Sequence, residues 1–398
     1  MKRSDGQLAY LLAAISAVGP FCIDAYLPSM PELSQVFGRP LPIIQQTLTA
    51  YMAPFALMTL WHGAISDAVG RRLVILVSMA LFTLASLGCA LSPSFEALLV
   101  FRALQGMTAG TGMVVGRAIV RDLHQGPQAQ KMLSLVSVVF AIAPSVAPVI
   151  GGWLQHFLGW RSVFFFMAAF SAVVFVWCHL ALPESLAPEH RQPFAPGYLA
   201  RTYFKALTHA RFMEAVFALA LGFSGFFVYV LSAPVFLMQH LHLHETEFLW
   251  LFAPITAGML IGASASGRLA GVVSPGRTVV LGFAAMGFAV VSNLVIALAM
   301  EPRVPWSVAS MFFYALGFSL AVPSLTLMAL DLFPKQRGLA ASCQSFVQSM
   351  GNVANAAFFA PLLWATPLRL AVGSGAFFAL AGVGAVLHLV TGGAEQRS

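Results

Sequence analysis

Gly63-Ala-Ile-Ser66-Asp67-Ala-Val-Gly70-Arg71-Arg72 is a polar break between two long apolar runs, 42–65 and 73–91. Its glycines allow close packing and a tight turn. Asp67 can accept hydrogen bonds at a helix N-terminus or pair with an arginine. On either side the chain keeps repeating one pattern: an apolar run, then charge, glycine or proline. The runs are 8–30, 42–65, 73–91, 96–117, 131–154, 162–182, 212–237, 247–269, 278–299, 305–330, 338–363 and 368–391. A helix needs about 20 apolar residues to cross a bilayer, so each run is long enough to span one.

Composition agrees. Of 398 residues, 59% are hydrophobic and 9% charged, against about 25% charged in a soluble domain. So few charges could not cover a water-facing surface. A membrane β-barrel would show short alternating strands, and no such alternation recurs. The stretch 183–211, with Pro183, Pro188, Pro193 and Pro196, is the longest hydrophilic segment. It divides the chain into a six-helix bundle over 1–182, a linker over 183–211 with a short amphipathic piece near Tyr198–Leu207, and a second six-helix bundle over 212–398. The expectation is an all-α integral membrane protein of twelve transmembrane helices.

Basic residues set the orientation, because cytoplasmic loops are enriched in Lys and Arg. With the N-terminus inside, sixteen of the 21 basic residues face the cytoplasm; Lys2, Lys335 and Arg397 are among them. Arg39, Arg161, Arg303 and Arg369 lie outside, and Arg102 falls within a span. Both termini are therefore expected in the cytoplasm, and the net charge of +7 reflects loops and not nucleic-acid binding. Cys22, Cys89, Cys178 and Cys343 all lie in apolar runs and read as unpaired packing residues. No cleavable signal peptide is evident.

Ionised groups are costly inside a bilayer, so the exceptions point to function. Only Asp24 and Arg102 lie well inside spans. Burial disfavours a charged carboxylate, which makes Asp24 a reversible proton carrier; the alternative is a structural ion pair between helices. Arg102 keeps its charge. With Gln105 it would form an electrostatic network, serving either coupling or a structural lock. The pairs Gly106/Gly110 and Gly112/Gly116 permit close helix approach. Pro144, Pro148, Gly151 and Gly152 would bend and thin the fifth span. Gln344, Gln348, Asn352 and Asn355 share one helical face, placed for interhelical hydrogen bonds or a substrate path. Tyr26, Tyr51, Phe226, Tyr229 and Tyr314 are aromatic candidates for the same cavity. His240, His242 and His244 read as outer-loop polarity, and no metal site is expected. No phosphate-cradling loop is present, which excludes self-powered ATP-driven transport.

These motifs carry a family resemblance. Gly63 to Arg72 resembles the signature between the second and third helices of major facilitator superfamily transporters, although Ala68 and Val69 stand where Arg usually follows the acid. Arg102-x-x-Gln105-Gly106 resembles the fourth-helix motif, and Pro144 to Gly152 the fifth-helix motif of the antiporter branch. Asp24-x-Tyr26-Leu27-Pro28, with Arg121-Asp122, is similar to the bicyclomycin/chloramphenicol-resistance (Bcr/CflA-like) drug–proton antiporters. The resemblance implies the major facilitator fold in two six-helix bundles. It implies a secondary active transporter of the bacterial inner membrane, not an enzyme, working as a monomer without a cofactor. Protons entering through Asp24 would drive export of small, mostly apolar drug-like compounds. Asp67 with Arg71 or Arg72 would gate the cytoplasmic side, with Arg117 and Arg121 as further partners for Asp67. A facilitator-fold carrier of a sugar or amino acid, or a non-transporting polytopic protein, are the alternative readings.

Overall fold

The computed structural model describes residues 3–124, 126–334 and 336–395; Lys2, Lys335 and Arg397 lie outside the described residues. The chain folds as two compact units, Met1–Ala195 and Pro196–Ser398. The first holds α1 (Arg3–Asp24), α2 (Gln46–Val69), α3 (Arg71–Ala90), α4 (Phe95–Ala109, continuing past Gly110 as Thr111–Leu123), α5 (Gly126–Leu158) and α6 (Trp160–Ala181). The second holds α7 (Ala210–Leu231), α8 (Leu249–Leu269), α9 (Pro275–Ala299), α10 (Trp306–Asp331), α11 (Arg337–Ala354) and α12 (Pro367–Glu395). Nine stretches among the described residues are long and apolar enough to cross a membrane. Helices α2, α5 and α11 meet the three remaining runs of the sequence. Exposed helix faces carry large apolar side chains, such as Leu84 on α3 and Leu180 on α6, which a lipid environment accepts and water would not.

Local sequence explains the ends. Proline has no N–H to give the carbonyl four residues back, and α1 stops at Asp24, four residues before Pro28. A 3₁₀ turn, Leu27–Ser29, leads into a short helix, Met30–Phe37, which ends on Gly38 in the left-handed conformation. The Ser94 side chain caps α4 by accepting from the Ala97 amide at 3.2 Å. Two runs read as single spans are interrupted by π-helical turns: Pro234–His240 follows α7, and Asn355–Phe359 follows α11.

Three helix contacts recur in both units, although in the second α7–α12 and α9–α10 are the more extensive ones for α7 and α9. In the first unit α1 packs on α5, α2 on α4 and α3 on α6; in the second α7 packs on α11, α8 on α10 and α9 on α12. That is the pairing of two three-helix repeats of inverted topology. Glycines set the closest approaches. A Cβ on Gly106 would collide with the Tyr51 carbonyl across the α2–α4 contact. In the second unit Gly258 and Gly262 meet the Phe312 and Leu316 carbonyls across α8–α10 in the same way.

The hydrophilic stretch after α6 is committed to structure at both ends. In the first unit, the Gln192 amide donates to the Asp67 carbonyl at 3.1 Å, and the Phe194 ring lies 5.9 Å from that of Trp61. In the second unit, the short helix Pro196–Leu207 buries Leu199, Tyr203 and Ala206 on one face. There the Gln336 side chain donates to the Tyr198 hydroxyl at 3.2 Å.

The collision at Gly106 gives a test. Gly106→Ala forces α4 away from α2 and should cost about 1–3 kcal/mol, the range for overpacking, seen as a lower unfolding midpoint of the purified protein. Gly267→Ala, with nothing within 4 Å of its Cβ position, should leave the midpoint unchanged or slightly raised.

Candidate functional site

The deepest polar group of the first unit is Arg102, on α4, with no exposed surface. Its Nε donates to the Thr47 carbonyl on α2 at 3.3 Å. One terminal nitrogen donates to Cys22 Sγ on α1 and to Gln105 Oε1, both at 3.1 Å. The other has no hydrogen-bond partner among the described residues. The guanidinium instead lies over aromatic faces: Tyr51 at 4.5 Å, Tyr26 at 4.8 Å and Phe164 at 5.8 Å. Such contacts contribute about 0.5–2 kcal/mol each once desolvated.

The network widens from there. Gln105 donates to Ser86 on α3 at 2.8 Å and accepts from the Cys89 thiol at 3.4 Å. Tyr26 bonds Thr47 Oγ1 at 2.7 Å, and Tyr51 donates to the Gly19 carbonyl at 2.9 Å. Arg102 thus joins α1, α2, α3, α4 and α6 without any carboxylate in contact. Tyr26 and Tyr51, singled out in the sequence as cavity aromatics, are placed as walls of this cage, and both are fully buried.

Asp24 closes α1 and is buried, with 4% of its surface exposed. Its carboxylate forms no hydrogen bond or ion pair among the described residues, with Arg102 or any other base. Nothing in the first unit therefore supports the ion-pair alternative for it. A Cβ on Gly151 would strike the Ala25 carbonyl, so α5 lies against the backbone immediately after the acid. Pro148 and Gly152 are buried on the same helix, and Pro144 is partly buried. Helix α5 runs unbroken from Gly126 to Leu158 through both prolines.

At the α2–α3 turn, Gly70 adopts φ 104°, a conformation that side chains rarely accept. Asp67 pairs with Arg71, which also reaches Asp122 at 3.1 Å and Ser66 at 2.6 Å. Glu184 accepts from the backbone amides of Arg71 at 2.9 Å and Arg72 at 3.3 Å, capping the N-terminus of α3. Arg72 donates to the His179 carbonyl at 2.7 Å. Of the partners expected for Asp67, Arg71 is the one in contact, and Arg117 and Arg121 are not. Both arginines lie in the last turns of α4, and neither makes an ion pair among the described residues. Arg71, four residues on and across the Gly70 break, reaches the acid directly. Gly63 sits in ordinary contact with Val114.

In the second unit the amide stripe is split between two tasks. Gln344 donates to Thr326 at 3.1 Å and Asn355 to the Ser224 carbonyl at 3.1 Å, tying α11 to α10 and α7. The amide oxygens of Gln344, Asn352 and Asn355 have no donor among the described residues; Gln348 is partly buried beside them. Tyr229 bonds Asn293 at 2.7 Å. Phe226 packs among Phe223, Tyr314 and Phe318, and the Tyr314 hydroxyl is unpartnered. His240 is engaged by the Trp364 carbonyl at 2.7 Å.

The sequence reading missed Glu184, and it noted Asp122 without its role. Glu184 follows Pro183 where α6 ends, and acids near helix ends are the natural caps for a neighbouring N-terminus. That signal is faint without the fold.

The family model described as Major Facilitator Superfamily matches residues 10–359. An uncharacterized MFS-type transporter of Bacillus subtilis, YdgK, is 36% identical over 67% of this chain and 67% of its own. Multidrug resistance protein D of Escherichia coli is 32% identical over 52% of each chain. A Haemophilus influenzae bicyclomycin resistance protein homolog is 28% identical over 56% of each. The last two alignments thus span little more than half of those relatives. Among solved structures, a bacterial homolog of the human lysosomal transporter Spinster has a TM-score of 0.73 at 16% identity, covering 98% of this chain and 97% of that one. The human organic anion transporter MFSD10 (TETRAN) has a TM-score of 0.68 at 20% identity, covering 96% and 99%.

The Arg102 cage generates its own prediction. Lysine keeps the charge but loses the planar fork that meets three elements at once. Arg102→Lys should lose about 1.5–3 kcal/mol of stability, the range for hydrogen bonds to a charged group, read as a fall in the thermal unfolding midpoint of the purified protein.

Proposed function

We propose that this chain, which belongs to the major facilitator superfamily, exports small, mostly apolar drug-like compounds from the bacterial cytoplasm in exchange for protons. Its superfamily makes it a membrane transporter. The observation that carries the finer reading is Asp24: a buried, unpaired carboxylate inside the first membrane-spanning segment. A desolvated acid with no fixed counter-charge changes protonation state more readily than one locked in an ion pair. The names of the relatives, resistance proteins for several unrelated drugs, support an adaptable apolar site over a dedicated polar one.

In this mechanism Asp24 takes a proton from outside and releases it inward, while the substrate site is exposed to one face of the membrane at a time. Arg102 keeps a fixed positive field close to the site of proton exchange; its hydrogen bonds and aromatic walls hold it still while Asp24 changes charge. The Asp67–Arg71–Asp122 cluster, with Glu184, locks the cytoplasmic α2–α3 turn in one state of the cycle. Protons are the coupling ion and no cofactor is needed. The protein sits in the bacterial inner membrane with both termini in the cytoplasm and acts as a monomer.

Two measurements test this. Asp24→Asn should abolish uncoupler-sensitive drug resistance in a pump-deficient bacterial host while membrane abundance stays normal; resistance equal to wild type overturns the proton role. Asp67→Asn should slow efflux about tenfold, as expected when a conformational step is impaired, without changing which compounds are exported. A shifted compound profile at normal rate would argue against a gate.

A further inference from the structure

The turn between α5 and α6 repeats the α2–α3 turn at the opposite end of the first unit. The sequence shows it at an offset of 89 residues: Gly63, Gly70 and Arg72 correspond to Gly152, Gly159 and Arg161. The structure matches them one by one. Gly159 has φ 76° where Gly70 has 104°. Arg161 donates to the Ser92 carbonyl beyond the end of α3, at 3.3 Å, where Arg72 donates to the His179 carbonyl near the end of α6. A glutamate caps the helix that follows: Glu184 holds the amides of Arg71 and Arg72, and Glu32 holds the Trp160 amide at 2.9 Å. The Asp67–Arg71–Asp122 cluster, however, has no counterpart here. Helix α6 opens on Trp160, and Glu32 Oε2 takes the Gln155 amide in addition to the Trp160 backbone.

The location of Glu32 gives this arrangement a consequence. Glu32 lies on the short helix Met30–Phe37, eight residues after Asp24. The backbone between them already touches α5, through Ala25 against Gly151. The segment that carries Asp24 is therefore fixed to α5 and α6 at two points, one beside the acid and one at Glu32.

We propose that Glu32 is a positioning residue for proton coupling: its carboxylate clamps the Asp24 segment to the α5–α6 turn, so that a movement of this turn displaces the acid. The coupling role rests on Asp24 being the proton site; the clamp itself does not. A single oxygen, Oε2, accepts both hydrogen bonds, so a glutamine, whose amide oxygen accepts in the same place, can reproduce the clamp while an alanine cannot.

Cys22, two residues before Asp24 and buried, is a native reporter of the segment. Labelling of the full-length protein in native membranes with N-ethylmaleimide, resolved site by site by mass spectrometry, reads its opening. Glu32→Ala should speed Cys22 labelling about fivefold or more, the signature of local opening, while Cys178 and Cys343 keep their wild-type rates. Glu32→Gln should stay within about twofold of wild type. Proton-driven uptake of radiolabelled chloramphenicol into everted vesicles should fall about tenfold in Glu32→Ala and be restored in Glu32→Gln. An unchanged Cys22 rate in Glu32→Ala overturns the clamp, as does an equal rise at all three cysteines, or a glutamine variant that behaves like alanine. Asp24→Asn separates the two readings. If it leaves chloramphenicol uptake intact, the proton-site reading fails, and the Cys22 rates still decide the clamp.

Discussion

Among the described residues, a guanidinium with no exposed surface and no carboxylate partner ties together five of the first six helices. Removing an ion of this size from water costs several kcal/mol even after relaxation. Arg102 recovers that cost in pieces: a carbonyl on α2, a thiol on α1, an amide on its own helix and aromatic faces from three segments. Each partner is weak, and each must be held in place by others. Ser86 orients Gln105, and Thr47 with the Gly19 carbonyl fixes the two tyrosines. The close α2–α4 approach at Gly106 sits one turn from the charge and brings the Thr47 carbonyl within reach. Breaking that approach would strand a cation in the membrane, which is why packing and electrostatics cannot be varied separately here.

On the proton-exchange reading proposed above, a carboxylate in that cage would make a poor carrier. An acid fixed beside a permanent cation stays charged, whereas an acid without such a partner can give up or accept a proton. The separation of Asp24 from Arg102 keeps these two requirements apart within one bundle. The positive charge is locked by neutral groups, and the titratable group is left without a lock.

The twelve spans were legible because lipid imposes its length on every apolar run, and the break points fell where Pro, Gly or charge interrupts them. Asp24 and Arg102 were legible for the same reason: a charge in an apolar run has no ordinary explanation. What the sequence could not give was partnership across distance. Glu184 and Glu32 each cap a helix more than a hundred residues away, and loop acids look alike until the fold brings one to a helix end. Arg71 was named from the sequence as a partner for Asp67, but its second acid, Asp122, fifty-one residues on, was not. Tyr26 and Tyr51 were picked for their chemistry, and their rings face Arg102, a contact that no local spacing announces. The π-helical turns after α7 and α11 also escaped notice, since an extra residue within a helical turn leaves hydrophobicity unchanged.

The proline-rich stretch after α6 looks, by composition, like a long flexible leash. Mechanically it is something else. Phe194 is held by Trp61, and Tyr198 is held by Gln336. Between these anchor points lie only Ala195, Pro196 and Gly197, and nothing crowds the Cβ position of Gly197. Pro196 and Gly197 already belong to the short helix Pro196–Leu207, so of these three residues only Ala195 lies outside regular structure. What reads in composition as slack is held by side chains on both sides of that one residue.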